Sequence, residues 1–141
     1  MKPHQKLRWQ LAGILLVVIP IGFFTKLYRG PVQLWVNHSL GGVLYEIFWC
    51  LVVAWGWPKA RPFLVALWIF LMTCCLEFLQ LWHPLFLETI RNTCIGQVLL
   101  GTTFTWWDLP HYLIGSVIGG WIIFWLQKSC LSMISDINQN P

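Results

Sequence analysis

Four of the five acidic residues fall within or at the edges of long apolar stretches, where carboxyl groups are unusual. Glu46 and Glu77 interrupt two such stretches, and Glu88 and Asp108 lie near the ends of others. An ionised side chain at the centre of a bilayer costs roughly 2.5–3.5 kcal/mol on the lenient insertion scale, so acids there commonly mark proton relays or ligand sites. The alternative is a structural role, in which the carboxyls join helices by hydrogen bonds.

Helical spacing places further polar side chains beside these acids. Thr73, Glu77 and Gln80 follow i, i+4, i+7 spacing and share one face of a helix. Asp108 and Tyr112 begin a second stripe with the same spacing. We expect the two stripes to meet inside a helix bundle, because lipid offers polar groups no partners.

Glycines continue this pattern. Gly115 and Gly119 follow along the second stripe, and Gly42 shares a face with Glu46. Small residues let transmembrane helices approach closely, so these three are predicted to serve helix packing. Glu46 and Glu77 come to similar depths in neighbouring antiparallel helices, roughly 9 and 7.5 Å below the same surface at 1.5 Å per residue.

Two roles are open for Arg91. It lies three residues after Glu88 and could pair with that acid on an exposed helix face. As a counter-ion, it would instead lower the cost of burying Glu77 or Asp108. The predicted polar pocket comprises Glu46, Glu77, Gln80, Arg91, Asp108 and Tyr112.

No metal site or cofactor is expected. His38, His83 and His111 are scattered along the chain near one predicted membrane surface, where polar anchoring is the simpler role. The five cysteines show no paired CxxC spacing and are predicted to be small core residues.

The composition indicates an integral membrane protein. Of the 141 residues, 57% are hydrophobic and only 10% are charged, against roughly 25% charged in an ordinary soluble domain. The mean hydropathy is +0.65. The net charge of +4 does not indicate a nucleic-acid partner, because the basic residues lie singly or in pairs at the ends of apolar runs and form no basic face.

We predict one all-α domain over residues 1–141, a four-helix membrane bundle. The first apolar run is followed by no small-residue cleavage site, so we expect a retained helix rather than a signal peptide. The predicted spans are residues 7–25, 40–57, 63–82 and 108–126, with short tails at 1–6 and 127–141.

The segment 85–107 is apolar but carries Glu88, Arg91, Asn92 and Gln97. We predict an interfacial or re-entrant helix, which is tolerated where protein covers its polar groups. A fifth span is the alternative.

Basic residues predict the orientation. Four spans place both termini on the side that carries six basic residues, against three on the other side, so the termini are expected to be cytoplasmic. The six are Lys2, Lys6, Arg8, Lys59, Arg61 and Lys128, and the three are Lys26, Arg29 and Arg91.

The polar pattern also resembles a known family. The residues that carry the resemblance are Glu77-x2-Gln80, Arg91 and Asp108-x3-Tyr112-x2-Gly115-x3-Gly119. The VanZ-like family is similar in this pattern, with Asn where this chain has Tyr112. A related group of small bacterial membrane proteins of unknown function looks still more similar, over roughly Tyr45 to Gly120. The resemblance implies a multi-pass protein of the bacterial plasma membrane with a role in the cell envelope; VanZ-like proteins are associated with low-level teicoplanin resistance.

Three functions are open at this point. The first is binding or handling of an amphiphilic or lipid-linked envelope molecule in a polar pocket that opens to the outer leaflet, with Arg91 gripping a phosphate or carboxylate. The second is a structural subunit of a homo-oligomer or larger membrane complex. The third is proton-linked transport through Glu46, Glu77 and Asp108. Catalysis has no specific support, because HExxH and GxSxG motifs are absent from the sequence.

Overall fold

The computed structural model describes residues 3–82, 84–93, 96 and 104–139, and their regular elements are all helical. The prediction of an all-α fold is confirmed. The helices are α1 (Pro3–Leu27), α2 (Gln33–Trp35), α3 (Gly41–Gly56), α4 (Pro62–Leu79), α5 (Leu85–Arg91) and α6 (Asp108–Gln139), and a π turn (Val36–Leu40) joins α2 to α3.

Three of these helices are long and apolar enough to cross a membrane, over His4–Leu27, Pro62–Leu79 and Asp108–Cys130. They correspond to the first, third and fourth predicted spans. The second predicted span, 40–57, is instead a shorter apolar helix of 16 residues, Gly41–Gly56. A straight crossing takes about 20 residues, so this helix falls short of a span on its own.

Prolines mark several helix boundaries. α3 ends at Gly56, just before Pro58, because a proline disfavours helical backbone in the residue that precedes it. α4 begins at Pro62, where the missing N–H leaves no hydrogen bond unmade. Pro84, whose backbone is extended, occupies the N-cap position directly before α5.

α6 is longer than predicted. It continues from Asp108 to Gln139, so most of the predicted tail 127–141 is helical. Residues 127–139 contain neither glycine nor proline, and nothing in the sequence stops the helix where the apolar run ends.

Side-chain contacts place four helix ends together. Arg8 near the start of α1 donates to the carbonyl of Trp55 at the end of α3, at 3.1 Å. Gln127 of α6 donates to the carbonyl of Ala60, just before α4, at 2.9 Å. Helices that follow one another in the chain among α1, α3, α4 and α6 are therefore antiparallel, whereas α3 and α6 pack side by side in parallel. We call this end the basic end, defined by Arg8, Lys59, Arg61 and Lys128, and the opposite end the acidic end, defined by Glu46, Glu77, Glu88 and Asp108.

Apolar side chains cover the outside of the bundle. The buried core is small and includes Leu11, Leu51 and Ile123. Large side chains such as Phe63 and Trp121 point outward and are mostly exposed. Helices that are apolar on all sides fit a lipid surrounding, in which an exposed apolar surface carries no penalty.

The segment before α6 is described in part. α5 exposes Leu85 and Phe86 and buries Leu87 and Arg91, so one face packs on the bundle. The rest of the predicted interfacial or re-entrant segment, including Gln97, lies mostly outside the described residues, as does His83.

Candidate functional site

Glu77 is the centre of a buried hydrogen-bond cluster near the end of α4. Its side chain is 2% exposed. Its Oε2 accepts hydrogen bonds from the Tyr112 hydroxyl at 3.0 Å and from the Gln80 amide at 3.3 Å. Its Oε1 accepts from the backbone N–H of Thr105 at 3.0 Å. Three donors, from the residue that follows α4, from α6 and from the segment before α6, thus converge on one carboxyl.

Glu46 lies deeper and has fewer partners. Its side chain is 0% exposed, and its Oε2 accepts from the Ser116 hydroxyl at 2.8 Å. Within the described residues, its Oε1 is buried and has no hydrogen-bond partner. The Ser116 hydroxyl also lies 2.8 Å from the carbonyl of Tyr112. The two acids are therefore linked through one turn of α6, from Tyr112 to Ser116.

Glycines allow α6 to approach α3 at this level. A Cβ atom added at Gly115 would lie 2.6 Å from Glu46 Cβ, and one at Gly119 would lie 2.7 Å from Cys50 Cβ. A Cβ at Gly42 would lie 3.2 Å from the Tyr112 ring. All three glycines predicted to serve packing thus lie at close helix contacts.

Arg91 binds the end of α4. It is buried, and its Nη2 and Nη1 donate to the carbonyls of Leu79 at 2.8 Å and Trp82 at 3.1 Å. Carbonyls at a helix C-terminus lack intrahelical donors and carry partial negative charge, so a guanidinium stabilises them. The buried position of Arg91 differs from one of its two predicted roles, which was to pair with Glu88 on an exposed helix face.

The remaining predicted polar residues lie around the same end. Asp108 begins α6, is partly buried and is near enough to Glu77 to interact with it electrostatically. Thr73 is buried one turn before Glu77 and donates to carbonyls of its own helix. The structure thus brings Glu77, Gln80 and Tyr112 into direct contact and places Glu46 next to them.

Two members of the cluster lie outside the predicted pocket. Ser116 follows Tyr112 by four residues and so lies on the same helix face. This spacing could have predicted that Ser116 belongs to the cluster. Thr105 contributes its backbone N–H, and no side-chain pattern signals a backbone donor.

Within the described residues, no group of three or more His, Cys, Asp or Glu side chains could hold a metal ion. The four cysteines described there are free; Cys50 and Cys130 are buried, whereas Cys75 is exposed.

A groove of about 410 Å³ lies between α4 and α6. It begins at Arg61 at the basic end and extends along the apolar outer face to Phe70 and Leu113. Ser116 lines this groove while its hydroxyl contacts Glu46, so the groove borders the buried cluster. Arg61, Ala66 and Phe70 line it from the α4 side, and Ser116, Gly120 and Phe124 line it from α6.

Comparison with known proteins gives a family without a known activity. No solved structure matches the chain. A family model described as protein of unknown function (DUF2809) matches residues 32–116, which include every residue of the predicted polar pocket. The match covers more than half of the chain. It confirms the predicted membership in a family of unknown function, and the finer resemblance to VanZ-like proteins stays a prediction. The chain belongs to the DUF2809 family.

Proposed function

We propose that the protein binds an amphiphilic molecule of the surrounding membrane and holds its apolar chain in the α4/α6 groove. The observation that carries this proposal is the groove of about 410 Å³. Small-molecule sites are typically concave, mostly apolar and about 300–1,000 Å³ in volume, with few polar groups. Ser116 is one such polar group along the groove.

The shape of the groove favours a chain over a helix of another subunit. From Arg61 to Phe70 the groove extends for roughly 14 Å along α4, about half of the ~30 Å that a helix of another subunit would follow across the bilayer. An extended hydrocarbon chain is narrow enough to fit. This dimension supports amphiphile binding over the assembly-subunit hypothesis.

The proposed setting is the bacterial plasma membrane with four crossings. Helical backbone is continuous from Gln33 through the π turn to Gly56, and these residues rise by roughly 36 Å at 1.5 Å each. That length supports a second crossing, although α3 alone is short. The excess of basic residues then favours cytoplasmic termini.

The buried polar cluster, Glu46, Glu77, Gln80, Tyr112 and Ser116, has a positioning role in this proposal. It links α3, α4 and α6 by hydrogen bonds and so sets the separation of the two helices that form the groove. Direct contact of the ligand with Arg91 or Asp108, at an outer-side pocket, stays a prediction. The resemblance to VanZ-like proteins supports a ligand from the cell envelope.

Proton-linked transport has weaker support. Along α3, the residues that follow Glu46 toward the basic end include the buried Cys50, Leu51 and Ala54. Such side chains do not relay protons, so the described part of the cluster reaches only one side of the membrane.

The test compares two tryptophan substitutions on α6. Val117 lines the groove and is 61% exposed, whereas Ile114 is 51% exposed and does not line it. Val117→Trp fills the groove, while Ile114→Trp adds the same bulk on an adjacent part of the apolar face. Native mass spectrometry of protein released from nanodiscs of one defined phospholipid counts the lipids retained.

Wild type and Ile114→Trp are expected to retain one lipid, and Val117→Trp is expected to lose it. Equal retention in all three proteins, at matched helix content by circular dichroism, would show that the groove holds no chain.

A further inference from the structure

We propose further that the bound amphiphile is an anionic lipid and that Arg61 binds its headgroup. This inference rests on the proposed function, because it names the chemistry of the molecule whose chain lies in the groove. The groove ends at Arg61, which is exposed. A guanidinium at the mouth of an apolar groove is complementary to a phosphate joined to a hydrocarbon chain, and most of all to a headgroup that has no cation of its own beside the phosphate.

Arg61 differs from other basic residues at the same end. Arg8 donates to the carbonyls of Trp55 and Gly56, and its guanidinium lies 5.9 Å from the centre of the Trp55 ring. The Lys128 amine lies 5.5 Å from the centre of the Trp125 ring. In the part of the chain that the structure describes, the Arg61 side chain makes no hydrogen bond or ion pair. Its five N–H donors are therefore available to a ligand.

The charge distribution favours an anion at this end of the groove. The four acidic side chains that the structure describes, Glu46, Glu77, Glu88 and Asp108, all lie toward the acidic end. An anionic headgroup placed there would face Glu77 and Asp108. Lys26 and Arg29 also lie toward the acidic end, but neither lines the groove. Arg61 is thus the charged residue that the headgroup of a lipid can contact while the lipid's chain lies in the groove.

The length of the groove matches one leaflet. From Arg61 to Phe70 it rises by roughly 14 Å, about half of the ~30 Å hydrocarbon core. A lipid whose headgroup lies at Arg61 would extend its chain to about the middle of the bilayer, near Ser116. The bound lipid therefore comes from the leaflet at the basic end.

The test measures headgroup preference separately from chain retention. Protein is released from nanodiscs that contain equal amounts of phosphatidylglycerol and phosphatidylcholine with identical chains, and native mass spectrometry counts each retained lipid. Wild type is expected to retain about ten times more phosphatidylglycerol than phosphatidylcholine. A factor of about ten in affinity is what one hydrogen bond between charged groups, here Arg61 and the headgroup, is expected to contribute. Arg61→Gln is expected to retain a lipid without this preference. Arg61→Lys is expected to keep part of it, because an ammonium keeps the charge but not the planar fork.

Lys59→Gln is the matched control. Lys59 is an exposed basic residue two positions from Arg61 and does not line the groove, so its loss should leave the preference unchanged. An unchanged preference in Arg61→Gln, or an equal loss in Lys59→Gln, would overturn this inference. Neither result affects the proposed function, which fails only if Val117→Trp retains its lipid as wild type does.

Discussion

At the scale of single residues, the two buried glutamates differ in the hydrogen bonds that reach them. Glu77 accepts from three donors, whereas Glu46 accepts at Oε2 from Ser116 and has no hydrogen-bond partner at Oε1 in the described residues. Ser116 has one hydroxyl hydrogen, yet its oxygen lies 2.8 Å from both Glu46 Oε2 and the Tyr112 carbonyl. One hydrogen cannot serve both acceptors fully.

This difference predicts opposite responses to the same substitution. Glu77→Gln turns one acceptor oxygen into an N–H₂ group that faces other donors, so it should lower the free energy of unfolding by about 1–3 kcal/mol. Glu46→Gln gives Ser116 Oγ a donor and frees the hydroxyl hydrogen for Tyr112, so its effect should stay below about 1 kcal/mol. Thermal or denaturant unfolding in one detergent, followed by circular dichroism, measures both.

Glu88→Gln provides a control at an exposed acid of α5. Equal destabilisation by the substitutions at Glu46 and Glu77 would contradict this account of the hydrogen bonds.

Sequence reasoning located the acids because a carboxyl in an apolar run is conspicuous. Spacing on a helix then connected Glu77 with Gln80, and Asp108 with Tyr112. The pattern does not show that Arg91 binds the end of α4, because that contact depends on how the chain turns after Leu79. Helical spacing relates side chains on one helix, so it does not predict a contact between a side chain and the backbone of a distant residue.

At the scale of the elements, the glycines of α6 determine how closely the helices pack. Gly115 lies against Glu46 and the backbone of Val43, with an added Cβ only 2.6 Å from the Val43 carbonyl oxygen. A backbone atom cannot move aside as the end of a flexible side chain can. The α3/α6 contact is therefore sensitive to a single methyl group.

Gly115→Ala is expected to destabilise the protein by about 1–3 kcal/mol, the usual cost of overpacking. Gly13→Ala is the matched control on α1, where an added Cβ meets nothing within 4 Å. Because alanine is the better helix former, that substitution should be neutral or stabilising by up to about 1 kcal/mol. Unfolding midpoints in detergent give the comparison, and equal midpoints for the two variants would refute the close contact at Gly115.

The apolar runs predict where the long helices lie, but they do not predict the start of the second span or the end of α6. The helical backbone of the second predicted span begins earlier than residue 40, because the π turn Val36–Leu40 and α2 precede α3 without a break, a feature that hydropathy does not encode. α6 ends at Gln139, later than the predicted end at residue 126. The fall in hydropathy after Leu126 marks the expected membrane edge and not the end of the helix.

At the scale of the whole molecule, charge is divided between the two ends of the helix bundle. The four acids whose side chains the structure describes lie toward one end, and Arg8, Lys59, Arg61 and Lys128 lie at the other. Hydropathy was enough to predict an all-α membrane protein with long apolar helices, and the orientation that the basic residues indicate stays a prediction. The groove was not predicted, because side chains of both α4 and α6 form it on the apolar face, and periodicity does not report how two helices pack together.

Reporter fusions test the proposed topology. Green fluorescent protein fused after Pro141 should fluoresce, and alkaline phosphatase fused there should be inactive, because the C-terminus is expected in the cytoplasm. Fusions after Gly30, between α1 and α2, should show the opposite pattern. Phosphatase activity at both positions would favour an odd number of crossings, three or five, over four.

The continuity of α6 has a mechanical consequence. The helix runs unbroken from Asp108 to Gln139, well beyond the groove residue Phe124. Gly119 and Gln139 are roughly 30 Å apart along the axis, so a tilt of about 5° around Gly119 would move the far end by roughly 2.5 Å. A small change in groove width that tilts α6 would thus be amplified at its C-terminal end, which is predicted to lie outside the bilayer.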